Sequence, residues 1–199
     1  METKLWFAIA SAVIGIIAFL PYIRDMFLRR TRPHAYTWLI WMITQGIGAA
    51  GVWHGGGEWG ALTLIVWVVF VSIVFVGSFW FGTKDITRSD TVVLFAAIGA
   101  ILVWVVLDQP LLSVLFATGI DMLGYVPSFR KSYADPWGET LSAWGLFVLA
   151  DLLAIFALVE YSILTTIYLG ALTIANAAIL LFCMYRRTKV SAPAVEEAN

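Results

Sequence analysis

The stretch FLPYIR, residues 19–24, has a counterpart in YVPSFR, residues 125–130. Each copy places a proline late in a long apolar run and an arginine three residues after that proline. Trp38 lies 17 positions after Pro21, and Trp144 lies 17 positions after Pro127. Because the two prolines are 106 residues apart and the spacing around them is repeated, the pattern predicts that the chain is built from two related halves.

The composition predicts an integral membrane protein. Of the 199 residues, 61% are hydrophobic and 13% are charged, whereas about a quarter of a soluble domain is charged. A helix crosses a bilayer with about 20 apolar residues, and the chain has seven apolar runs of roughly this length. They cover residues 5–28, 38–52, 60–80, 91–107, 111–132, 141–159 and 163–185. The sequence therefore predicts an all-α integral membrane fold with seven transmembrane helices.

The lysines and arginines predict the orientation of these spans. With seven spans, 11 of the 12 basic residues fall on one side of the membrane and only Lys4 falls on the other. Because basic residues are retained on the cytoplasmic side, we expect the N-terminus outside and the C-terminus in the cytoplasm, in the plasma (inner) membrane. Topology accounts for the basic loops, so no nucleic-acid partner is predicted. The 11 residues are Arg24, Arg29, Arg30, Arg32, Lys84, Arg88, Arg130, Lys131, Arg186, Arg187 and Lys189.

The two halves map onto the spans in a 3+1+3 order. Spans one to three are repeated in spans five to seven, and the fourth span is left between them as a linker. Since an odd number of helices separates the copies, both copies start on the same side, and the repeats are parallel rather than inverted. The predicted units are a first three-helix bundle, a linker helix with its flanking loops, a second three-helix bundle and a disordered cytoplasmic tail. Their bounds are 1–80, 81–110, 111–185 and 186–199.

This order, with a proline in the first helix of each bundle, resembles the SWEET and PQ-loop superfamily of seven-helix membrane transporters. Pro21 and Pro127 match the family's prolines, and the resemblance covers the whole chain in topology but only a few residues in motif. Tyr22 and Ser128 stand where the family has the glutamine of its Pro-Gln pair, so a sugar is not assigned as the solute. The resemblance implies transport of a small solute through a site between the two bundles.

Pro21 and Pro127 each lie a few residues before the predicted cytoplasmic end of a span. A proline inside a helix removes one backbone hydrogen bond and kinks the helix, so the two prolines can act as hinges for the cytoplasmic mouth. A static kink that improves packing is the alternative. Arg24 and Asp25 precede a basic loop, and we expect a gate in which Asp25 pairs with an arginine. The alternative is that this loop only sets the orientation of the protein.

Two carboxyl groups lie near the middle of predicted spans, Asp121 in the fifth and Asp151 in the sixth. A charged side chain at mid-depth in a bilayer costs about 2.5–3.5 kcal/mol, so neither group is expected to face lipid. Each can bind a cation, hold a proton or contact a basic group of a substrate, and both are predicted to take part in proton coupling. The alternative is a hydrogen-bonded pair that locks two helices together.

Gln45, Trp41 and Asn176 complete the predicted substrate site around Asp151. The spacing of 106 residues places Gln45 in the first half where Asp151 lies in the second. By the resemblance, Asn176 takes the place of the family's pocket asparagine and Trp41 that of its pocket aromatic residue. Asn176 can equally serve as a hydrogen-bonding contact between helices.

The predicted function is transport of a small solute by alternating access between the two bundles, with proton coupling as an option. A non-transporting membrane receptor or sorting protein of the same fold is the alternative. The sequence has no nucleophile elbow, phosphate-binding glycine loop or histidine cluster, so no enzymatic activity, cofactor or metal is predicted. The predicted partners are a small molecule, protons and the lipid bilayer. One chain already holds two bundles, so a monomer suffices for a pathway, while a homo-oligomer stays open.

Overall fold

The computed structural model describes residues 2–29, 33–82, 88–134, 136–139 and 141–191. All regular structure in this part of the chain is helical. Two short 3-10 turns, Glu58–Gly60 and Pro136–Gly138, accompany seven α-helices. The helices are α1 (Glu2–Phe27), α2 (Ala35–His54), α3 (Ala61–Phe81), α4 (Arg88–Leu107), α5 (Pro110–Ala134), α6 (Leu141–Ala157) and α7 (Ile163–Arg187).

The seven helices coincide with the seven apolar runs of the sequence. Every predicted end lies within three residues of a helix end. The largest differences are at the starts of α1, α2 and α4, each of which begins three residues before its apolar run. A helix can continue into polar residues beyond its apolar run, because each added residue extends the backbone hydrogen-bond ladder. The all-helical prediction and the positions of the seven helices are therefore confirmed.

Three helical segments are long and apolar enough to cross a membrane. They are Glu2–Phe27, Glu58–Phe81 and Ile163–Arg187. Three further apolar segments in the described part of the chain are shorter, namely Thr91–Leu107, Pro110–Tyr125 and Leu141–Ala157. The outer surface is also apolar, since Val105 is 75% exposed and Ile174 is 72% exposed. Large exposed apolar surfaces of this kind mark contact with a membrane or with another protein.

Two groups of three helices make up most of the assembly. In the first group α3 packs between α1 and α2, and in the second group α7 packs between α5 and α6. The groups meet where α1 packs against α6 and where α2 packs against α5. The remaining helix, α4, packs against α5 and α2. The boundary between the groups is therefore formed mainly by these four helices, with smaller contacts of α7 with α2 and of α3 with α6.

The helices at this boundary run antiparallel to each other. Phe7 of α1 contacts Phe156 of α6, and Phe19 of α1 contacts Phe147 of α6, with ring centroids 5.8 and 5.5 Å apart. Moving forward along α1 therefore means moving backward along α6. Contacts between α2 and α5 follow the same rule.

The two ends of the helix assembly differ in charge. Lys4 lies where the first turn of α1 meets the last turn of α6, and we call this end the Lys4 end. The other basic residues whose side chains the structure describes lie toward the opposite end, which we call the Arg186 end. They are Arg24, Arg29, Arg88, Arg186, Arg187 and Lys189.

Two loops join each other at the Lys4 end. They follow α2 and α6, at residues 55–60 and 158–162, and we call them the loop pair. Two backbone hydrogen bonds of 3.2 Å connect them, from Val159 N to Gly57 O and from Glu160 N to Gly56 O. The loop pair therefore links the first group of helices to the second.

Leu158 closes the space behind the loop pair. Its side chain is fully buried. A β-carbon added to Gly57 or Gly60 would lie 2.8 or 2.4 Å from Leu158 Cδ2, so glycine at these two positions makes room for the leucine. Lys4 Nζ adds a further contact between the groups, because it donates a hydrogen bond of 2.9 Å to Phe156 O. The Lys4 end of the boundary is thus closed by backbone, apolar and charged contacts together.

Candidate functional site

A chain of three hydrogen-bonded side chains runs through the second group of helices. Tyr125 of α5 donates its hydroxyl to Asn176 Oδ1 over 2.8 Å. Asn176 of α7 in turn donates Nδ2 to Asp151 Oδ2 of α6, also over 2.8 Å. Asp151 is fully buried and Asn176 is 3% exposed. Both the oxygen and the nitrogen of the Asn176 side chain therefore form hydrogen bonds. We call Tyr125, Asn176 and Asp151 the polar chain.

Asp121 bridges the boundary between the two groups of helices. Thr44 of α2 donates its hydroxyl to Asp121 Oδ1 of α5 over 2.6 Å. Tyr168 of α7 lies beside both residues, although its hydroxyl meets hydrogen-bond geometry with neither. The ring of Tyr168 approaches because α2 has Gly48 there, where a β-carbon would lie 2.6 Å from Tyr168 Cδ1. A glycine thus brings α7 into contact with α2 next to the carboxyl group.

The polar chain and Asp121 belong to one buried region. Tyr125 follows Asp121 by four residues on α5, so the two side chains lie on the same face of that helix. Tyr125 is in turn joined to Asp151 through Asn176, so both carboxyl groups lie in the same part of the interior. We call the whole set the polar cluster. It consists of Thr44, Asp121, Tyr125, Asp151, Tyr168 and Asn176.

Three buried polar atoms in this part of the protein have no hydrogen-bond partner among the described residues. They are Asp151 Oδ1, Gln45 Oε1 and the Tyr168 hydroxyl. Leaving a buried polar group unpaired costs about 1–3 kcal/mol, so each such atom calls for an explanation, such as a functional role or a bound water or ion. Gln45 directly follows Thr44 on α2 and is 7% exposed, which places it in the interior at the level of the polar cluster.

Trp41 lies against α5 one turn from Thr44. A β-carbon on Gly124 would be 2.9 Å from Trp41 Nε1, so the indole packs directly on the α5 backbone. Trp41 also meets Trp38 edge to face, with centroids 5.2 Å apart. In the second half, Trp144 meets Phe147 edge to face at 6.1 Å. Trp38 and Trp144 are 106 residues apart, and so are Trp41 and Phe147. This is the same spacing as that of the two prolines.

A second pair of contacts follows the same spacing but changes in chemistry. Phe19 and Phe70 stack in the first half, with ring centroids 5.7 Å apart. At the positions 106 residues later, Tyr125 and Asn176 form the hydrogen bond of the polar chain. An apolar ring stack in the first half thus corresponds to a polar contact in the second half.

The predicted hinges lie within α1 and α5, and the predicted gate pair lies near the end of α1. Pro21 is inside α1, which continues to Phe27, and position 127 lies within the range of α5. Arg24 Nε is 3.8 Å from Asp25 Oδ1, and the two side chains are 68% and 39% exposed. An exposed pair contributes about 0–1 kcal/mol, and this contact joins neighbours on one helix rather than two helices. Arg30 and Arg32, the other candidate partners, lie outside the described residues, so the gate and hinge roles stay predictions.

The structure therefore brings several of the predicted site residues together. It joins Asn176 to Asp151, places Asp121 in the same buried region and puts Trp41 on the neighbouring face of α5. The sequence did not single out Thr44, Tyr125 or Tyr168, all three of which are in the polar cluster. Tyr125 carried a signal that could have been used, since it stands where the first half has an apolar phenylalanine.

Two apolar grooves lie on the outside of the helices. One of about 540 Å³ is formed mainly by α3, and one of about 390 Å³ lies between α2 and α4. Their linings include no residue of the polar cluster. Among the residues that the structure describes, no three histidine, cysteine or acidic side chains come together.

Comparisons of the chain with protein-family models, with curated proteins and with solved structures found no match. The resemblance to the SWEET and PQ-loop superfamily therefore stays a prediction, and the geometry of the polar cluster is what supports a function.

We expect Thr44→Val to destabilise the protein by about 1–3 kcal/mol, because Asp121 Oδ1 would lose its donor in a buried site. Thr118→Val is the matched control. Thr118 is also buried, but its hydroxyl donates to Val114 O in its own helix over 2.7 Å. The loss should be smaller there because the carbonyl keeps its helical partner. Unfolding in detergent, followed by circular dichroism, measures both variants, and equal losses would contradict a special role of the contact between α2 and α5.

Proposed function

We propose that the protein is an integral membrane transporter of a small solute. The observation that carries this proposal is the polar cluster, which contains two buried carboxyl groups, one of which bridges the boundary between two groups of helices. Three of its members also lie near the midpoints of their helices, namely Thr44 in α2, Asp121 in α5 and Asn176 in α7. In a helix that crosses a membrane, the midpoint is the deepest and most costly place for a polar group.

Buried carboxyl groups at this depth need a use that offsets their cost. A packing contact alone would be made as well by apolar side chains, as Phe19 and Phe70 show at the first-half positions that correspond to Tyr125 and Asn176. Asp151 also keeps one buried oxygen without a partner, which a purely structural carboxyl group would not need. Ionisable residues inside membrane segments usually mark substrate or ion pathways.

Two parallel three-helix units, α1 to α3 and α5 to α7, are the architecture that we propose, with α4 as the linker. In this architecture α5 corresponds to α1, and α6 corresponds to α2. The packing of α1 on α6 therefore corresponds to the packing of α5 on α2, and both packings are present. The ring contacts of Trp38 and Trp144 repeat with the same spacing. The basic Arg186 end faces the cytoplasm in this proposal, in agreement with the positive-inside rule.

Transport then requires the two units to separate at one end at a time. At the Lys4 end, the loop pair and Leu158 hold the units together, so these contacts must break before a solute can enter or leave there. At the centre, the hydrogen bond from Thr44 to Asp121 connects the units and must adjust as they move. At the Arg186 end, Pro21 and Pro127 provide weak points in α1 and α5 where helix ends can bend.

The first test is a search for a solute. We expect at least one compound among sugars, amino acids, amines and vitamins to raise the unfolding temperature of the purified protein, because a ligand that binds only the folded state stabilises it. The same compound should enter proteoliposomes by a saturable process that protein-free vesicles lack. If a compound binds but no flux follows, the protein is a receptor of the same fold rather than a transporter.

Asp121→Asn separates solute movement from proton coupling in the same vesicles. The variant should lose uptake driven by a proton gradient but keep exchange of labelled for unlabelled solute. Loss of both processes to the same degree would show that Asp121 has no separate role in coupling.

A further inference from the structure

The polar cluster is rich in acceptors and contains no basic side chain. Its six residues include two carboxyl groups, and the described basic residues lie at the two ends of the helices. A solute that enters this region would therefore meet two carboxyl groups and hydrogen-bond acceptors with no positive group beside them. A carboxyl group that is ionised here would repel an anion and attract a cation.

The hydrogen-bond inventory shows which atoms are left for a solute. Asn176 uses one of its two N–H donors on Asp151 and its oxygen on Tyr125, so it orients Asp151. Thr44 uses its proton on Asp121. What remains unpaired is Asp151 Oδ1, together with Gln45 Oε1 and the Tyr168 hydroxyl. A carboxylate oxygen and an amide oxygen can only accept, so they require donors from a partner.

Aromatic rings surround the same region. Tyr125 and Tyr168 belong to the cluster, Trp41 packs on α5 beside it, and Trp144 lies 6.3 Å from Tyr125 between ring centroids. Ring faces attract cations, and this attraction is stronger where water is excluded. The aromatic rings favour a cation, and the unpaired acceptors favour a ligand with hydrogen-bond donors. A cation that carries N–H groups meets both conditions.

We infer that the solute is a small organic cation with N–H donors, such as a primary amine, whose ammonium group binds Asp151 Oδ1. This inference rests on the proposed function and names the class of solute at the same site. In the bound state the ammonium group supplies the donor that Asp151 Oδ1 lacks. The polar chain holds the carboxyl group in place, so Tyr125 and Asn176 act as positioning residues.

Matched compounds test the class without any variant. One set is 1,4-diaminobutane, 1,4-butanediol and succinate, and a second set is glucosamine, glucose and glucuronate, so that each skeleton is offered as a cation, a neutral molecule and an anion. Binding to the purified protein is measured by thermal unfolding and by calorimetry. The cation would gain a hydrogen bond between charged groups that its neutral partner lacks. We therefore expect at least one cation to bind about 10–100-fold more tightly than its neutral partner. Equal or tighter binding of the neutral compounds or the anions would overturn the inference.

Two further arms locate the site and exclude simple salts. Asp151→Asn should remove the preference for the cation while circular dichroism and elution volume stay unchanged. Asp151→Glu keeps the charge and should keep the preference, which covers the case in which the asparagine variant does not fold. Sodium and potassium chloride are tested at the same concentrations. Stabilisation by these salts alone, without any amine, would contradict the inference.

The outcomes separate this inference from the proposed function. Uptake of a neutral compound or an anion into proteoliposomes would overturn the cation class and leave transport standing. Tight binding of a cation that never crosses the vesicle membrane would support the class and overturn transport.

Discussion

Joining the loop pair with a disulfide should stop transport completely and reversibly. The double variant Gly56→Cys and Glu160→Cys suits this purpose, because a β-carbon on Gly56 would lie 3.4 Å from Glu160 Cβ. Disulfides in proteins have β-carbons about 3.5–4.5 Å apart. If the two units must separate at the Lys4 end in each cycle, oxidation should lower the flux to that of protein-free vesicles, and a reductant should restore it.

The background and controls for this experiment follow from the structure. Cys183 is the single native cysteine and is fully buried, so it is replaced by alanine to prevent other pairings. Gly56 has a φ of +78°, which a cysteine adopts only with some strain, so the reduced double variant provides the reference flux. Each single cysteine variant should be insensitive to oxidant. Full flux through the cross-linked protein would mean that the loop pair does not open during transport.

Replacing Asn176 by leucine should have the largest effect on stability of any single change in the polar cluster. The hydroxyl of the partly buried Tyr125 would lose its acceptor, and the carboxyl group of Asp151 would lose the only hydrogen bond that the described residues give it. Two orphaned groups at about 1–3 kcal/mol each predict a loss of about 2–6 kcal/mol. The free energy of unfolding in a denaturant titration measures this loss.

A triple variant distinguishes a structural role of the polar chain from a functional one. Tyr125→Phe, Asp151→Leu and Asn176→Leu together remove every polar partner at once, which is close to neutral for stability when the shapes are similar. The first half shows that the fold accepts an apolar contact here, because Phe19 and Phe70 stack at the corresponding positions. We expect the triple variant to recover most of the lost stability and to show no uptake. Normal uptake by this variant would show that the polar chain serves packing alone.

The helices could be predicted from the sequence because apolarity is a property of whole segments. A run of about 20 apolar residues tolerates errors at single positions, and every end was therefore found within three residues. The spacing of 106 residues was also visible in the sequence. It led to the correspondence between Gln45 and Asp151, both of which are buried.

The partners of the polar side chains could not be predicted in the same way. Which side chain meets Asp121 depends on how α2 crosses α5, and that crossing is set by contacts such as Trp41 on Gly124. Thr44 carries no sequence signal of its own, because a threonine inside an apolar helix often donates to its own backbone, as Thr118 does. Tyr168 lies in the cluster only because Gly48 leaves room for its ring.

The two halves differ in one pair of contacts. Phe19 and Phe70 form a stacked pair in the first half, whereas Tyr125 and Asn176 form a hydrogen-bonded pair in the second half. A stack of two rings exchanges no proton and carries no charge. In the proposed transporter, adaptation to a new cargo would therefore begin at the bonded pair, while the stacked pair could stay unchanged.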